Sequence, residues 1–320
     1  MITRCISLSD KDIFFNLAAE EYLLKNSEND IFMIWQSHDA VVVGRHQNVL
    51  AEINHHFANQ NNIKIARRIS GGGTVFHDCG NLNFTFIREN QNLELFTKQM
   101  IFVLTKSGLR PEQDKHHAIF LDRLKISGCA HHIYKGKVLH HGTLLFNSNL
   151  NFLKEALNVD SGRCNDKSVQ SNRSKVANIA DYLPELTITG FSEFIFRESI
   201  SCFSNPEIKN LSEQEVSDIE KLKKEKYSTW EWVYGCSPKY QYNNTLSAPP
   251  KTISFSLWVE KGRIVSSEWN GLSIKVSALL SKKLYNQKHE YNTLKQLLQD
   301  ISDHLAKENI NSINFLEKLI

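Results

Sequence analysis

Apolar residues recur at helical spacing between Asp12 and Leu24, with Phe14, Leu17, Ala18, Tyr22 and Leu23 on one side, so the first predicted element is an amphipathic helix. Two strands are expected next, Ile31–Trp35 and Ala40–Gly44. In the second, Val41-Val42-Val43 is apolar and β-branched without alternation, the pattern of a strand buried on both faces. Glu52 to Asn61 reads as a short polar helix. Strands Lys64–Ile69, Thr74–Phe76 and Asn83–Ile87 are expected around a turn at Gly71-Gly72-Gly73, followed by a helix over Leu93–Lys106. Ile119–Leu121, Lys125–Tyr134 and Val138–Phe146 look like strands, the last two joined as a hairpin at Lys135-Gly136. Leu150–Leu157 returns to helical spacing.

The second half is more polar. Asp166 to Ala177 reads as a Ser-rich loop over one face of the domain, followed by a helix near Phe191–Ser201 and a charged stretch, Ser212–Lys226. Asn243 to Lys251, with Pro249-Pro250, is the best linker candidate. Beyond it a hairpin, Thr252–Val259 and Arg263–Trp269, turns at Lys261-Gly262, and two helices (Ile274–Lys283 and Thr293–Glu308) complete a small α+β unit. A chain of 320 residues exceeds what one core usually holds, so two domains are expected, 1–245 and 246–320.

Composition removes several classes. Thirty-eight basic and 35 acidic residues leave a formal charge of +3, too small to argue for nucleic acid or a membrane surface. The six cysteines are far apart and form no CxxC pair, which favours reduced thiols over a disulfide framework or a zinc site. The first residues carry neither a secretory apolar core nor the Arg- and Ser-rich character of a transit peptide, and no apolar run approaches the length of a membrane span. A cytoplasmic protein is expected.

Glycine is scarce, 14 in 320, yet three stand together at 71–73. Such a turn has free φ and no side chains, so its N–H groups can approach a ligand closely. Arg67, Arg68 and Ser70 add a charged fork and a hydroxyl, a combination suited to a carboxylate or phosphate. The turn is neither a P-loop nor a GxGxxG loop, and a plain flexible hairpin turn beside a surface Arg pair fits the spacing as well. Lys125-Ile126-Ser127-Gly128 places a lysine before a small-residue turn, where it could stabilise charge developing on an acyl carbonyl, or be an ordinary exposed strand lysine. Cys129, with His131 and His132 nearby, is a candidate acyl-carrying thiol or a small core residue. The doublets His55-His56, His116-His117, His131-His132 and His140-His141 do not suggest a metal, because adjacent strand residues face opposite ways.

From Arg67 to Asn81 the sequence reads RRISGGGTVFHDCGN, and these fifteen ordered positions closely resemble the lipoate–protein ligase A family. Val43-Gly44-Arg45-His46-Gln47-Asn48, the Lys125–Gly128 block, His140-His141-Gly142-Thr143-Leu144-Leu145, Arg173-Ser174-Lys175-Val176-Ala177-Asn178, Trp230-Glu231-Trp232 and Ser237-Pro238-Lys239 resemble its other blocks, over roughly residues 10 to 245. The resemblance implies an α+β protein of the biotin/lipoate ligase type: a mixed β-sheet catalytic domain with flanking helices and a small α+β C-terminal domain. It implies ATP-dependent activation of lipoate to lipoyl-AMP, with Mg²⁺, and transfer to a lysine of lipoyl acceptor domains, those of 2-oxoacid dehydrogenase E2 subunits or the glycine cleavage H protein. Carried over, Lys125 is catalytic, and ATP and lipoyl-AMP are bound by Arg68, Ser70, Gly71, Gly72, Gly73, Thr74, Val75, Phe76, His77, Asn81 and Lys125. No residue is assigned to a metal. Val41 and Val43 could line a channel for the lipoyl chain or simply pack the core.

One departure stands out. Where the family usually carries an Asn-Asp pair seven residues before the lysine, this chain has His117-Ala118, and Asp122 is close in sequence. Mg²⁺ needs hard oxygen ligands, so two alternatives stay open: a lipoyl or octanoyl transferase without adenylation activity, and a non-catalytic lipoate-binding protein. Steering of an acidic acceptor by Arg173 and Lys175 is a further expectation.

Overall fold

The helix predicted from Asp12 runs Ile13–Asn26, with Asp12 as its cap: the carboxylate accepts the Phe14 N–H at 3.0 Å, satisfying one orphan donor of the first turn. The expected face is only half right. Leu17, Ala18 and Leu23 are buried, Phe14 and Tyr22 are half-buried, and Asn16, Glu20 and Glu21 are buried with the apolar residues. Strands of the main sheet, the helix Glu213–Leu222 and the π-helix Lys223–Tyr227 all pack on this helix, so its buried residues are not confined to one stripe.

The computed structural model describes residues 2–89, 93–159, 161–171 and 174–320. The chain divides into two units by internal contact, one made of Met1–Arg45, Lys64–Lys154 and Ser171–Thr229, the other of His46–Ile63, Glu155–Gln170 and Trp230–Ile320. The boundary expected at 245 falls inside the strand Tyr240–Ala248.

The first unit is built on a six-stranded mixed sheet in the order Cys129–Tyr134, Lys137–Leu145, Asn81–Arg88, Asp30–Trp35, Thr3–Ser7, Pro206–Ile208. The first three junctions are antiparallel and the last two parallel. Thr3–Ser7 and Pro206–Ile208 are strands that hydrophobic patterning did not announce. One face of the sheet is covered by the helices Leu93–Thr105 and Ile188–Ile200, whose Phe96, Met100, Val103, Phe191 and Ile195 close a core with Phe32, Phe84 and Phe86. Adjacent strand residues prove the two faces: His140 stacks on Phe96 with ring centroids 5.2 Å apart, while His141 meets Glu20 of the first helix. Two three-stranded sheets complete the unit, Lys64–Arg67/Ala40–Val43/Val75–His77 and Glu112–Gln113/Ile119–Leu121/Leu124–Ser127.

The single strand expected over Lys125–Tyr134 is therefore two. Gly128 breaks it, and the halves join different sheets. The helix expected over 52–61 is also two, Val49–Glu52 and His55–Gln60, separated where Asn54 caps the second by accepting the Phe57 N–H.

The second unit carries a four-stranded antiparallel sheet: Cys164–Asn165, Tyr240–Ala248, Lys251–Glu260, Arg263–Asn270. The expected linker at 243–251 is the turn and flanks of its central hairpin. Polar Asn and Thr alternate there with Tyr242, Leu246 and Ala248, which are buried, so a period-two pattern was hidden by its asparagines. The helices Ile274–Leu284, Tyr291–Asp300, Ser302–Ala306 and Ser312–Leu319 belong to this unit; the predicted helix 293–308 is split at Ile301, and the last helix was not foreseen.

Candidate active site

The triple-glycine turn follows strand Lys64–Arg67 and leads into Val75–His77. Its shape is set from beneath by arginine. Arg67 is fully buried and donates through Nη1 to Gly44 O at 2.9 Å and Arg45 O at 3.2 Å. Arg68 donates from Nε to Ser70 Oγ (3.0 Å), from Nη1 to Val42 O (3.1 Å), and from Nη2 to both Gly71 O (2.6 Å) and Gly73 O (2.7 Å). That occupies four of the roughly five N–H donors a guanidinium has. Burial lowers the Arg68 pKa to about 10, with Glu20 opposing the shift, so the group stays cationic near neutrality.

The carbonyls of the turn are thus pinned inward. Among the described residues, no acceptor is found for the N–H groups of Gly71, Gly72 or Gly73. Gly72 has φ +83°, and its carbonyl presses so closely on Gly44 that a Cβ there would overlap it. Thr74 differs from the glycines: its N–H donates to Ser171 Oγ at 2.8 Å.

A second buried chain of contacts holds Ser70. Its Oγ lies 2.7 Å from His141 Nε2, and His141 Nδ1 lies 2.9 Å from both Glu20 oxygens. Thr85 Oγ1 donates to Glu20 Oε1 at 2.6 Å, and Trp35 Nε1 donates to Thr85 Oγ1 at 3.2 Å. His141 thus bridges the Ser70 hydroxyl and the Glu20 carboxylate, while Ser70 accepts from Arg68. Every member is satisfied, which makes a buried polar network a rigid support.

Lys125 has a different environment. Its backbone is fixed on both sides by the segment 174–177: Lys125 N–H donates to Lys175 O at 2.9 Å and Ala177 N–H donates to Lys125 O at 3.1 Å. This segment, expected as part of a loop over one face of the domain, thus adds a short parallel bridge beside the lysine; Arg173 lies outside the described residues. The Lys125 side chain is half-buried, and among the described residues its Nζ has no hydrogen-bond or ion-pair partner. It packs over Gly128, with Nζ 3.6 Å from where a Cβ would sit, and two residues on, Ala130 Cβ lies 3.7 Å from the corresponding point of Gly72. The turn and the lysine therefore flank one short piece of backbone.

Of the other residues singled out, Val75 and Phe76 lie on a strand paired with Ala40–Val43, and Phe76 is buried. His77 is buried with its ring 5.5 Å from Trp35; burial, then the charges of Arg68 and His141, push its pKa down to about 3. Asn81 keeps to its own strand, donating to Asn83 Oδ1 at 3.0 Å. Glu20, Thr85, Trp35 and Ser171 were not foreseen. The available signal was Glu20-Glu21 within an otherwise apolar helical stretch, since a carboxylate on a buried face must have a partner.

Cys129 does not have the environment of a nucleophile. Burial pushes its thiol up to about 11, and its contact at 3.8 Å is the Ser127 hydroxyl rather than an imidazole. Around His117-Ala118 the nearby carboxylate is Asp114, whose Oδ1 accepts the N–H groups of His116 and Ala118, both at 2.9 Å. Asp122 sits in an exposed turn with φ 48°. Among the described residues no three metal-ligating side chains converge.

Residues 12–199 match the family model described as the lipoyl protein ligase A/B catalytic domain. Lipoate-protein ligase LplJ of Bacillus subtilis is 32% identical over 317 residues, which cover 94% of this chain and 95% of that protein. Among solved structures, lipoate-protein ligase A bound with ATP has a TM-score of 0.62 at 25% identity over 74% of this chain and 100% of its own. A bi-partite lipoate protein ligase from Thermoplasma acidophilum, solved in a study with its E2 lipoyl domain, has a TM-score of 0.64 at 24% identity over 74% and 97%, a likeness of fold.

Proposed function

The chain belongs to the lipoyl protein ligase A/B family, and from that premise we propose that it activates lipoate with ATP and passes the lipoyl group to a lysine of an acceptor domain. The observation that carries this reading is the division of donors at the site: Arg68 is spent on the carbonyls of the turn, while three glycine amides and the Lys125 ammonium are unspent. An acyl-adenylate places a carbonyl beside an anionic phosphate, and fixed N–H groups with one cation are the donors such a mixed anhydride needs.

In the first half-reaction the lipoate carboxylate oxygen attacks the α-phosphorus and the bond to pyrophosphate breaks. The glycine amides hold phosphate oxygens, and Lys125 balances charge on the phosphate and on the acyl oxygen. In the second, an acceptor lysine nitrogen attacks the acyl carbon, the bond to AMP breaks, and the nitrogen loses a proton. Arg68, Ser70, His141 and Glu20 act on the turn, not on the reacting atoms. The acceptors proposed are lipoyl domains of E2 subunits and the glycine cleavage H protein; a fold relative studied with its E2 lipoyl domain supports the first. Six free cysteines suit a cytoplasmic setting, and among the described residues no helix is long and apolar enough to cross a membrane.

The test is pyrophosphate release on mixing the protein with ATP, Mg²⁺ and free lipoate. Release that requires lipoate and disappears in Lys125→Ala supports the ligase. A second reading, transfer from preformed lipoyl-adenylate without adenylation, is favoured by one observation: residue 118 is alanine and Asp114 Oδ1 is already engaged. Modification of an acceptor by lipoyl-adenylate, with no pyrophosphate release from ATP, would select it.

A further inference from the structure

The motif block Trp230-Glu231-Trp232 takes no part in the chemistry proposed above. Trp230 opens the short helix Trp230–Val233, within the second unit. Its ring is held as a platform. Tyr234 stacks on it with centroids 6.0 Å apart and planes 8° from parallel. The hairpin turn Lys261-Gly262 presses on it from the side: Gly262 has φ 72°, and a Cβ there would come within 2.8 Å of the indole. Two cations lie over this one ring, Lys288 with Nζ 4.7 Å and Arg263 with its guanidinium carbon 5.2 Å from the centre. The backbone sets them together, because Arg263 and Lys288 are direct partners in an isolated antiparallel bridge.

Like charges directly opposite each other destabilise a strand pair, and a cation–π contact needs only one cation. Here neither charge is answered. Glu260 and Glu290 are the carboxylates closest to them in sequence, and among the described residues neither forms an ion pair with Arg263 or Lys288. Arg263 spends Nη1 on Asn286 O at 2.9 Å, which fixes the guanidinium and leaves Nε and Nη2 unspent. Lys288 is half-buried, and its Nζ has no hydrogen-bond partner among the described residues. A third donor is orphaned at the same ring: Trp230 Nε1 is shut off from solvent without an acceptor. A buried donor of that kind calls for a partner.

We infer that Trp230, Arg263 and Lys288 form a binding site for a phosphate dianion. Two unanswered positive charges match the two negative charges that phosphate carries near neutrality. The guanidinium fork takes phosphate oxygens through its spare N–H groups, the ammonium meets the group as a point charge, and the indole N–H donates to an oxygen. A carboxylate brings one charge and two oxygens, and leaves one of the cations unanswered. Inorganic phosphate, pyrophosphate and a nucleoside monophosphate share this chemistry, and the test separates them. The inference stands on residues of the second unit alone and does not rest on the ligase reading.

The test follows the indole N–H signals of the full-length protein by NMR, with Trp230 picked out among the five tryptophans by its absence in Trp230→Phe. Inorganic phosphate shifts the Trp230 signal saturably, and potassium chloride at matched ionic strength does not. Dimethyl phosphate, a monoanion, binds roughly tenfold or more weakly, because it leaves one cation unanswered. Arg263→Gln and Lys288→Gln each weaken phosphate binding roughly tenfold or more, since each removes a charge-assisted donor. Tighter binding of pyrophosphate or of AMP than of phosphate supports the site and names its source; weaker binding of both supports it with free phosphate as the ligand. A Trp230 signal that phosphate leaves in place overturns the proposal. So does equal binding of dimethyl phosphate, or parental affinity in both glutamine variants. If those variants are misfolded, the comparison of phosphate with dimethyl phosphate on the unaltered protein decides. Failure of the ligase reading shows elsewhere, in pyrophosphate release and acceptor modification, and leaves these titrations unchanged.

Discussion

Arg68 and Lys125 are both cations carried by motif blocks of the same site, and their surroundings are opposite. Arg68 is buried and donates to Val42 O, Ser70 Oγ, Gly71 O and Gly73 O, whereas Lys125 holds an ammonium with no hydrogen-bond or ion-pair partner among the described residues. A donor that is already spent shapes a site; an unspent one awaits a ligand. On the proposed reading the difference separates construction from chemistry within one short motif set, and each of the following experiments presses on it.

The largest effect is expected at Lys125. Lys125→Ala should cut lipoate-dependent pyrophosphate release by roughly a hundredfold to a thousandfold, the loss that follows removal of one charge-stabilising donor. Its melting temperature should stay close to the parent's, because no partner is orphaned. A large drop in melting temperature would place Lys125 on the construction side and erase the contrast. Arg68→Ala should show the reverse balance. It strands several buried acceptors at on the order of 1–3 kcal/mol each, so unfolding free energy should fall by about 3 kcal/mol or more. Arg68→Lys should not restore it, since a lysine cannot reproduce the fork that spans Gly71 O and Gly73 O. A stable, inactive Arg68→Lys protein would show that Arg68 acts on the ligand instead.

A finer cut runs through the glycines. Gly44→Ala puts a methyl into the carbonyl of Gly72 and must displace the turn, whereas nothing lies within 4 Å of a Cβ at Gly71. Gly44→Ala should therefore cost about 1–3 kcal/mol of stability along with activity. Gly71→Ala should melt like the parent and reveal itself in KM for ATP, if its amide meets phosphate. Equal melting temperatures for the two variants would mean that the turn is not held against Gly44 as described.

Much of this was legible in the sequence and some was not, for definite reasons. The buried strand at Val41–Val43, the glycine turn and the hairpin at Lys135-Gly136 were readable because local chemistry dictates them: β-branching, free φ, a two-residue turn. The roles of the two cations were not. Nothing in Arg-Ile-Ser-Gly-Gly-Gly says that the guanidinium folds back onto its own turn, because that depends on Val42 and Ser70 being in reach. The relay from Ser70 to Glu20 joins residues 71 and 121 positions apart, and pairing at that distance leaves no periodic trace. Lys125 looked like one long strand with Tyr134 because β-propensity is continuous there; Gly128 splits it to change sheets.

The smallest expected effect is on pH dependence, and it asks whether the Arg68 side of the site is closed to protons as well as to solvent. His77 has a folded pKa of about 3, lowered first by burial and then by Arg68 and His141; His140, packed on Phe96, is likewise held near 3 by burial. An unfolded histidine titrates near pH 6.5, so below that value the unfolded chain binds the proton and the folded one does not. Stability is therefore complete above about pH 6.5 and falls as pH drops toward 3, with a slope of at most about 1.4 kcal/mol per pH unit for each such histidine. Denaturant titrations between pH 7 and 5 should show this fall, and His77→Phe should remove one histidine's share of the slope. Arg68→Lys should leave His77's share nearly intact, because burial is the larger cause and the cation is retained. If His77→Phe leaves the slope unchanged, the ring already takes up its proton in the folded protein, and the turn is more open from beneath than its hydrogen bonds imply.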